Sequence, residues 1–150
     1  MTRFKRTVSV LGIAVILAFG LTLAGSGHGF GPTPALAVGC YAHTCEGYWP
    51  WDKGCQYDAY VVDQKSGSDF TVYLWYSSAC NANWGTLQYP ACSNYIHGVD
   101  ITSRDGAYYP NSAPACYGNG WQGTDMVDGR YAAQACGERG TEIPACTGWW

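Results

Sequence analysis

Phe70-Thr71-Val72-Tyr73-Leu74-Trp75-Tyr76 alternates with a period of two. Phe70, Val72, Leu74 and Tyr76 fall on one side of an extended chain, and Thr71, Tyr73 and Trp75 on the other. β-branched and aromatic residues suit a pleated surface. Both sides carry rings, so both are expected to be partly covered. Just upstream, Gln56 to Asp63 has the same makeup and reads as a second strand. The polar stretch Gln64-Lys65-Ser66-Gly67-Ser68-Asp69 joins the two, and the pair predicts a hairpin.

Working outward, Val38 to Gly54 is rich in turn formers and aromatics and reads as a pinned loop. Cys80 and Trp84 are four apart, a spacing that suits one helical turn ending at Gly85. Tyr95 to Thr102 reads as a strand, ended by the Asp105-Gly106 turn. Ala107 to Gly123 reads as loop, with two prolines and several glycines. Thr124 to Val127, Asp128-Gly129 and Arg130 to Cys136 predict a second hairpin, because Asp-Gly suits a tight type I′ turn. The tail from Gly137 has no clear pattern, but Cys146 should tie it down. No repeat and no long amphipathic helix is present. The class is all-β: a small, loop-rich, disulfide-stapled barrel or sandwich of about five to seven short strands.

The N-terminus has a different character. Arg3, Lys5 and Arg6 precede an apolar stretch from Val8 to Leu23, and a Gly/Pro-rich run leads to Ala35-Leu36-Ala37. Basic, apolar, then small-x-small is the order of a secretory signal peptide. The expected peptide is residues 1–37, with cleavage after Ala37; a cut after Ala24 is the alternative. The apolar run is shorter than the roughly 20 residues that span a bilayer, which argues against an uncleaved anchor. Leu36-Ala37-Val38-Gly39-Cys40 loosely resembles a lipid-attachment box. The apolar run ends well before that cysteine, however, and acylating Cys40 would leave an odd cysteine count. The expected mature chain, residues 38–150, is one secreted, extracellular domain with no membrane contact after cleavage.

Its eight cysteines are Cys40, Cys45, Cys55, Cys80, Cys92, Cys116, Cys136 and Cys146. An even number in an exported chain reads as a disulfide framework, here of four bridges with about 105 possible pairings. No Cys-x-x-Cys pair occurs, and only His43 and His97 accompany the cysteines in residues 38–150, so no metal site and no cofactor is expected. Aliphatic residues are sparse, whereas all seven tryptophans and all twelve tyrosines lie in this part. A core of aromatic rings and cystines is therefore expected, and reduction should unfold it.

Residues 38–150 contain five lysines and arginines against eleven carboxylates, a net charge near −6. Nucleic-acid binding rests on basic patches and is excluded as a partner class. Anionic lipid is disfavoured on the same ground.

Cys45-x-Gly47-x-x-Pro50, Gly54-Cys55-x-x-Asp58-Ala59 and Val72-x-Leu74-x-Tyr76-Ser77-x-x-Cys80-x-Ala82-x-Trp84 together resemble a family of secreted Gram-positive proteins. That family, common in actinobacteria, is catalogued as domain of unknown function 2690. The likeness is good from Cys40 to Trp84 and patchy beyond, where Thr124 to Val127 and Ala135-Cys136 are similar to its closing strands. Trp49 stands where the family usually has Asp, and Trp75 where it usually has Arg. Cys92 and Cys116 look like additions. The resemblance implies an extracellular, compact β domain and no particular activity.

No catalytic constellation emerges. His43 sits among cysteines and His97 on a predicted strand, neither beside a nucleophile motif. Glu46, Glu138, Glu142 and the aspartates could supply a glycosidase pair, but nothing favours one. Asp58 reads as an acceptor for nearby turn amides. Asp125 and Asp128 lack the ligand alternation of a calcium loop. The loop aromatics remain. Tyr48-Trp49-Pro50-Trp51, Tyr108-Tyr109, Trp121 and Trp149-Trp150 are hard to bury together in a small domain. Exposed tryptophan and tyrosine stack on sugars or anchor protein partners. The expected function is a non-enzymatic binding or interaction module whose partner is an extracellular glycan or protein. Its expected binding residues are Trp49, Trp51, Tyr109 and Trp121. A secreted inhibitor or toxin accessory presenting Tyr108 to Gly123, and a cell-wall or polysaccharide hydrolase, are the alternatives.

Overall fold

The computed structural model describes residues 38–91, 94–113 and 120–150. The expected signal peptide, Cys92 and Cys116 lie outside the described residues. Among the described residues no helix is long and apolar enough to cross a membrane.

Two antiparallel sheets face one another. β1 (Tyr60–Ser66), β2 (Thr71–Ser77) and β3 (Ala82–Gln88) form a meander. β3 continues the first sheet by pairing at one end with β6 (Trp121–Gly123) and at the other with β7 (Val127–Asp128). The second sheet has the order β5 (Tyr108–Ala113), β4 (His97–Ser103), β8 (Ala133–Arg139), β9 (Ala145–Cys146). The sheets do not close, so the sandwich and not the barrel is the architecture, with nine strands among the described residues in place of five to seven.

The alternation read from Phe70 to Tyr76 holds. Val72 and Leu74 are fully buried and meet Leu87 of β3 and Val99, Ile101, Ala133 and Ala135 of the second sheet. This aliphatic cluster corrects the expectation of a core made only of rings and cystines. Few aliphatic side chains suffice when strand alternation sends most of them to one interior. A second cluster does match that expectation: Cys45, Cys55, Cys80, Ala82, Trp84 and Met126.

The hairpin of β1 and β2 forms with a bulge at Val62, but its first strand is shifted from the expected one: Gln56 and Tyr57 lie in a 3-10 turn, and Gln64 to Ser66, expected in the connection, are strand. Its turn is tight, and Phe70 lies across Gly67, where any Cβ would fall 2.3 Å from the ring. Asp105-Gly106 also turns as expected, with Gly106 at φ +101° joining β4 to β5.

Three expectations are overturned. Cys80 to Gly85 is no helical turn: Ala82 to Gln88 is the central strand of its sheet, covered on both faces. Ala107 to Gly123 is not all loop, since it contains β5 and β6; Pro110 is tolerated because β5 is an edge strand. The second hairpin does not exist. β7 pairs with β3 and β8 with β4, so Asp128-Gly129 carries the chain from one sheet to the other. Asp128 is buried there and binds the Arg130 backbone N–H (2.9 Å) and guanidinium.

Three bridges join described residues: Cys40–Cys45, Cys55–Cys80 and Cys136–Cys146. The last ties the tail to β8, as expected of Cys146. The chain then runs on beside β8, where Ala133 and Trp150 exchange backbone hydrogen bonds of 2.9 and 3.1 Å.

Candidate functional site

The aromatic face begins with the period of β2. Val72 and Leu74 point inward, so Tyr73 and Trp75 point outward. Register sets Trp75 opposite Trp84 and Tyr73 opposite Thr86 on β3. β6 then brings Trp121 opposite Gln88 and Gly123 opposite Thr86. The outer face of the first sheet is thus a row of rings: Trp75 and Trp84 stack at 6.4 Å, Tyr73 and Trp121 at 5.8 Å. Trp75 Nε1 donates to Thr86 Oγ1 (2.8 Å), and Tyr73 Oη donates to Gln88 Oε1 (3.1 Å). These bonds fix ring orientation.

A loop folds over part of this row. Cys45 and Cys55 flank residues 46–54, and both lie in the sulfur cluster. Between them Asp52 N–H bonds to Trp49 O (3.1 Å) and Cys55 N–H to Pro50 O (3.0 Å). The turn sets Trp49 and Trp51 stacked at 5.0 Å, with Trp51 edge-on to Trp84 at 6.4 Å. Trp49 needs a flat floor, and Gly123 provides it: a Cβ there would lie 2.7 Å from the indole.

Two depressions result. Trp51, Gln56, Ala59, Trp75 and Trp84 line a cleft of about 240 Å³. Trp49, Trp51, Trp121, Gln122 and Gly123 line a groove of about 310 Å³. No charged side chain lines either. Two residues of the cleft wall carry buried polar atoms without a partner, Trp84 Nε1 and Gln56 Oε1. Nearby, burial and the charge of Asp52 push the Asp125 carboxyl above its ordinary range. Flat indole faces with neutral walls suit a neutral ligand that has apolar faces.

The expected binding residues separate three to one. Trp49, Trp51 and Trp121 meet around one groove, with Trp51 and Trp121 48% and 44% exposed. Tyr109 is elsewhere, on β5 opposite Ile101, half-buried against the aliphatic cluster. Burial, with the charge of Glu46, raises its hydroxyl pKa. Tyr73, Trp75, Trp84 and Gln56 were not expected at the site. For Tyr73 and Trp75 the signal was the second, aromatic side of β2. For Trp84 it was hidden by the helical reading.

Other candidates resolve into structure. Asp58 accepts from the Ala79 N–H (2.8 Å) and the Ser77 and Ser78 hydroxyls, which hold its carboxyl below the ordinary range against the opposing effect of burial. His97 is buried, with Nε2 3.2 Å from Asp69 and its ring stacked on Tyr89 at 4.6 Å. The sulfurs of Cys40, Cys45, Cys55 and Cys80 lie within 4.8 Å of one another, but they are paired as two bridges. The inhibitor reading rested on Tyr108 to Gly123, of which residues 114–119 lie outside the described residues.

Residues 43–136, more than half of the chain, match the family described as protein of unknown function (DUF2690), and the chain belongs to that family. No curated protein and no solved structure matches the chain.

Proposed function

We propose that this member of the DUF2690 family is an exported, non-enzymatic binding module that holds a neutral glycan against the Trp51–Trp75–Trp84 cleft. The observation that carries the reading is the cleft itself: the indoles of Trp51 and Trp75 around about 240 Å³, with the buried Trp84 as its floor and a donor and an acceptor buried in the wall that lack partners. A pyranose has an apolar face to stack on an indole and hydroxyls to satisfy such groups. The absence of charged lining residues and the net charge near −6 of residues 38–150 disfavour a polyanion. Export is supported by the basic, apolar, small-residue order of the N-terminus and by the bridges.

The test is retention on a panel of insoluble neutral polysaccharides: cellulose, chitin, β-1,3-glucan, starch, mannan, xylan and galactan. Tryptophan fluorescence and calorimetry then follow the soluble oligomers. At least one polysaccharide should retain the protein, and Trp51→Ala should lower affinity about thirty-fold, the effect of losing roughly 2 kcal/mol from a central aromatic contact. Retention by none, or equal retention of Trp51→Ala, sinks the reading. Release of reducing ends, abolished by Asp125→Asn, would replace it with hydrolysis.

A further inference from the structure

We infer that the cleft and the groove are consecutive subsites for one glycan chain, so that the ligand is a polymer bound along its length and not a single sugar or a chain end. The inference rests on the glycan reading and adds to it the number of units held and the residues that hold the second.

Both cavities are lined by Trp51, which forms their shared wall. At about 240 and 310 Å³ each lies at or below the lower limit of ordinary small-molecule sites, roughly 300 Å³. Together they fall within that range, and an occupant that spans both must pass Trp51. The groove's own rings are held in place. Trp121 is stacked on Tyr73 and paired through its backbone to Gln88, yet remains 44% exposed. Trp49 rests on Gly123, whose carbonyl accepts a bond from Asn111 Nδ2 (2.6 Å). Gln122 is fixed by its Nε2, which donates to His97 O at 3.0 Å. Rings already ordered lose little entropy on binding.

The groove and the cleft share one chemistry: indole faces and neutral walls. A chain of like neutral units satisfies both, whereas an anionic partner would meet the carboxylate of Asp52, the neighbour of Trp51 in the chain, and find no cation lining either cavity. Linking two units makes the second contact intramolecular, so affinity should rise steeply from one unit to the length that fills both subsites and then level off.

The experiment is calorimetry of the full-length exported protein with one- to six-unit oligomers of the polysaccharide that the panel retains. Affinity should increase at least tenfold from the single sugar to the plateau length. Trp121→Ala should remove most of that gain, lowering oligomer affinity by a much larger factor than single-sugar affinity. Trp51→Ala should weaken both. Gly123→Ala, which forces Trp49 off its floor, should act like Trp121→Ala through a different residue, with near-ultraviolet circular dichroism confirming the fold. Length-independent affinity, or equal losses for single sugar and oligomer in Trp121→Ala and Gly123→Ala, would overturn the two-subsite inference and leave the cleft reading standing. Retention by no polysaccharide would overturn both.

Discussion

Two cores meet on β3, and they are built from different materials. Leu87 belongs to the aliphatic cluster between the sheets; Ala82 and Trp84, on the same strand, belong to the cluster of sulfur and indole. The aliphatic cluster lies where ladders of backbone hydrogen bonds already order the chain. The sulfur cluster lies under residues 38–58, which form two short 3-10 turns (Ala42–Cys45 and Cys55–Tyr57) and otherwise loops. Two of the three bridges, Cys40–Cys45 and Cys55–Cys80, therefore sit where regular pairing is missing. That weakly paired segment carries Trp49 and Trp51, so the covalent cluster is also what positions the aromatic face.

Full reduction is the strongest way to break this comparison. The three bridges span 25, 10 and 5 residues, and loop-closure entropy assigns them about 3.5, 2.7 and 2 kcal/mol. Their combined contribution is comparable with the whole net stability of a small domain, about 5–15 kcal/mol. A dithiol reductant should abolish the near-ultraviolet dichroism and shift tryptophan emission to the red. Survival of both signals would show that the aliphatic cluster holds the sandwich without its bridges.

Leu74→Ala tests the other core. Leu74 is fully buried between the sheets, and truncation there should cost about 4 kcal/mol through lost transfer energy and the cavity left behind. Urea unfolding should show a lower midpoint, with amides of β2, β4 and β8 losing protection together. The double change Cys55→Ser, Cys80→Ser should cost slightly less, about 3.5 kcal/mol, with a different distribution. Hydrogen exchange should accelerate first in residues 38–58 and spare the second sheet. If both variants accelerate exchange in the same places, the two clusters are one cooperative core and the comparison fails.

This division explains what could be read from the sequence. The β1–β2 hairpin was legible because alternation and turn chemistry are both local there. So was the Asp105-Gly106 turn. β3 was not, because Cys80 and Trp84 also fit a helical spacing; only the register with β2 and β6 decides between them. Nor was Gly85 a helix stop. Side chains of Ala135 and Val99 press on it, 3.1 and 3.3 Å from where a Cβ would be, across the interior between sheets. Asp128-Gly129 has turn chemistry, but a two-residue signal cannot say whether the flanking strands pair with each other or with different sheets. The site was legible as single rings. Their assembly depends on β6 lying beside β3 and on bridges whose pairing no spacing specifies.

A last contrast concerns one carboxylate from each region, and here the expected effect is smallest. Asp58, beside the sulfur cluster, is held low by the hydrogen bonds it accepts. Asp100, on β4 of the second sheet, is pushed up to about 6 by burial and then by the charge of Glu138. The two have opposite linkage. For Asp58 the folded pKa lies below the unfolded one, so its stabilisation is present above the unfolded value near 4 and is lost as pH falls through the folded value. For Asp100 the folded pKa is the higher. The neutral carboxyl favours the folded state at low pH, and this advantage disappears as pH rises from about 4 through 6. Stability should therefore peak near pH 4–5 and decline on both sides. Asp100→Asn should remove the decline on the alkaline side, raising stability at pH 7 by about 1–3 kcal/mol, while Asp58→Asn should flatten only the acid limb. Urea midpoints measured from pH 3 to 8 decide the matter. An Asp100→Asn curve parallel to wild type above pH 5 would mean that this carboxylate is solvated well enough to ionise in the folded sheet at no cost.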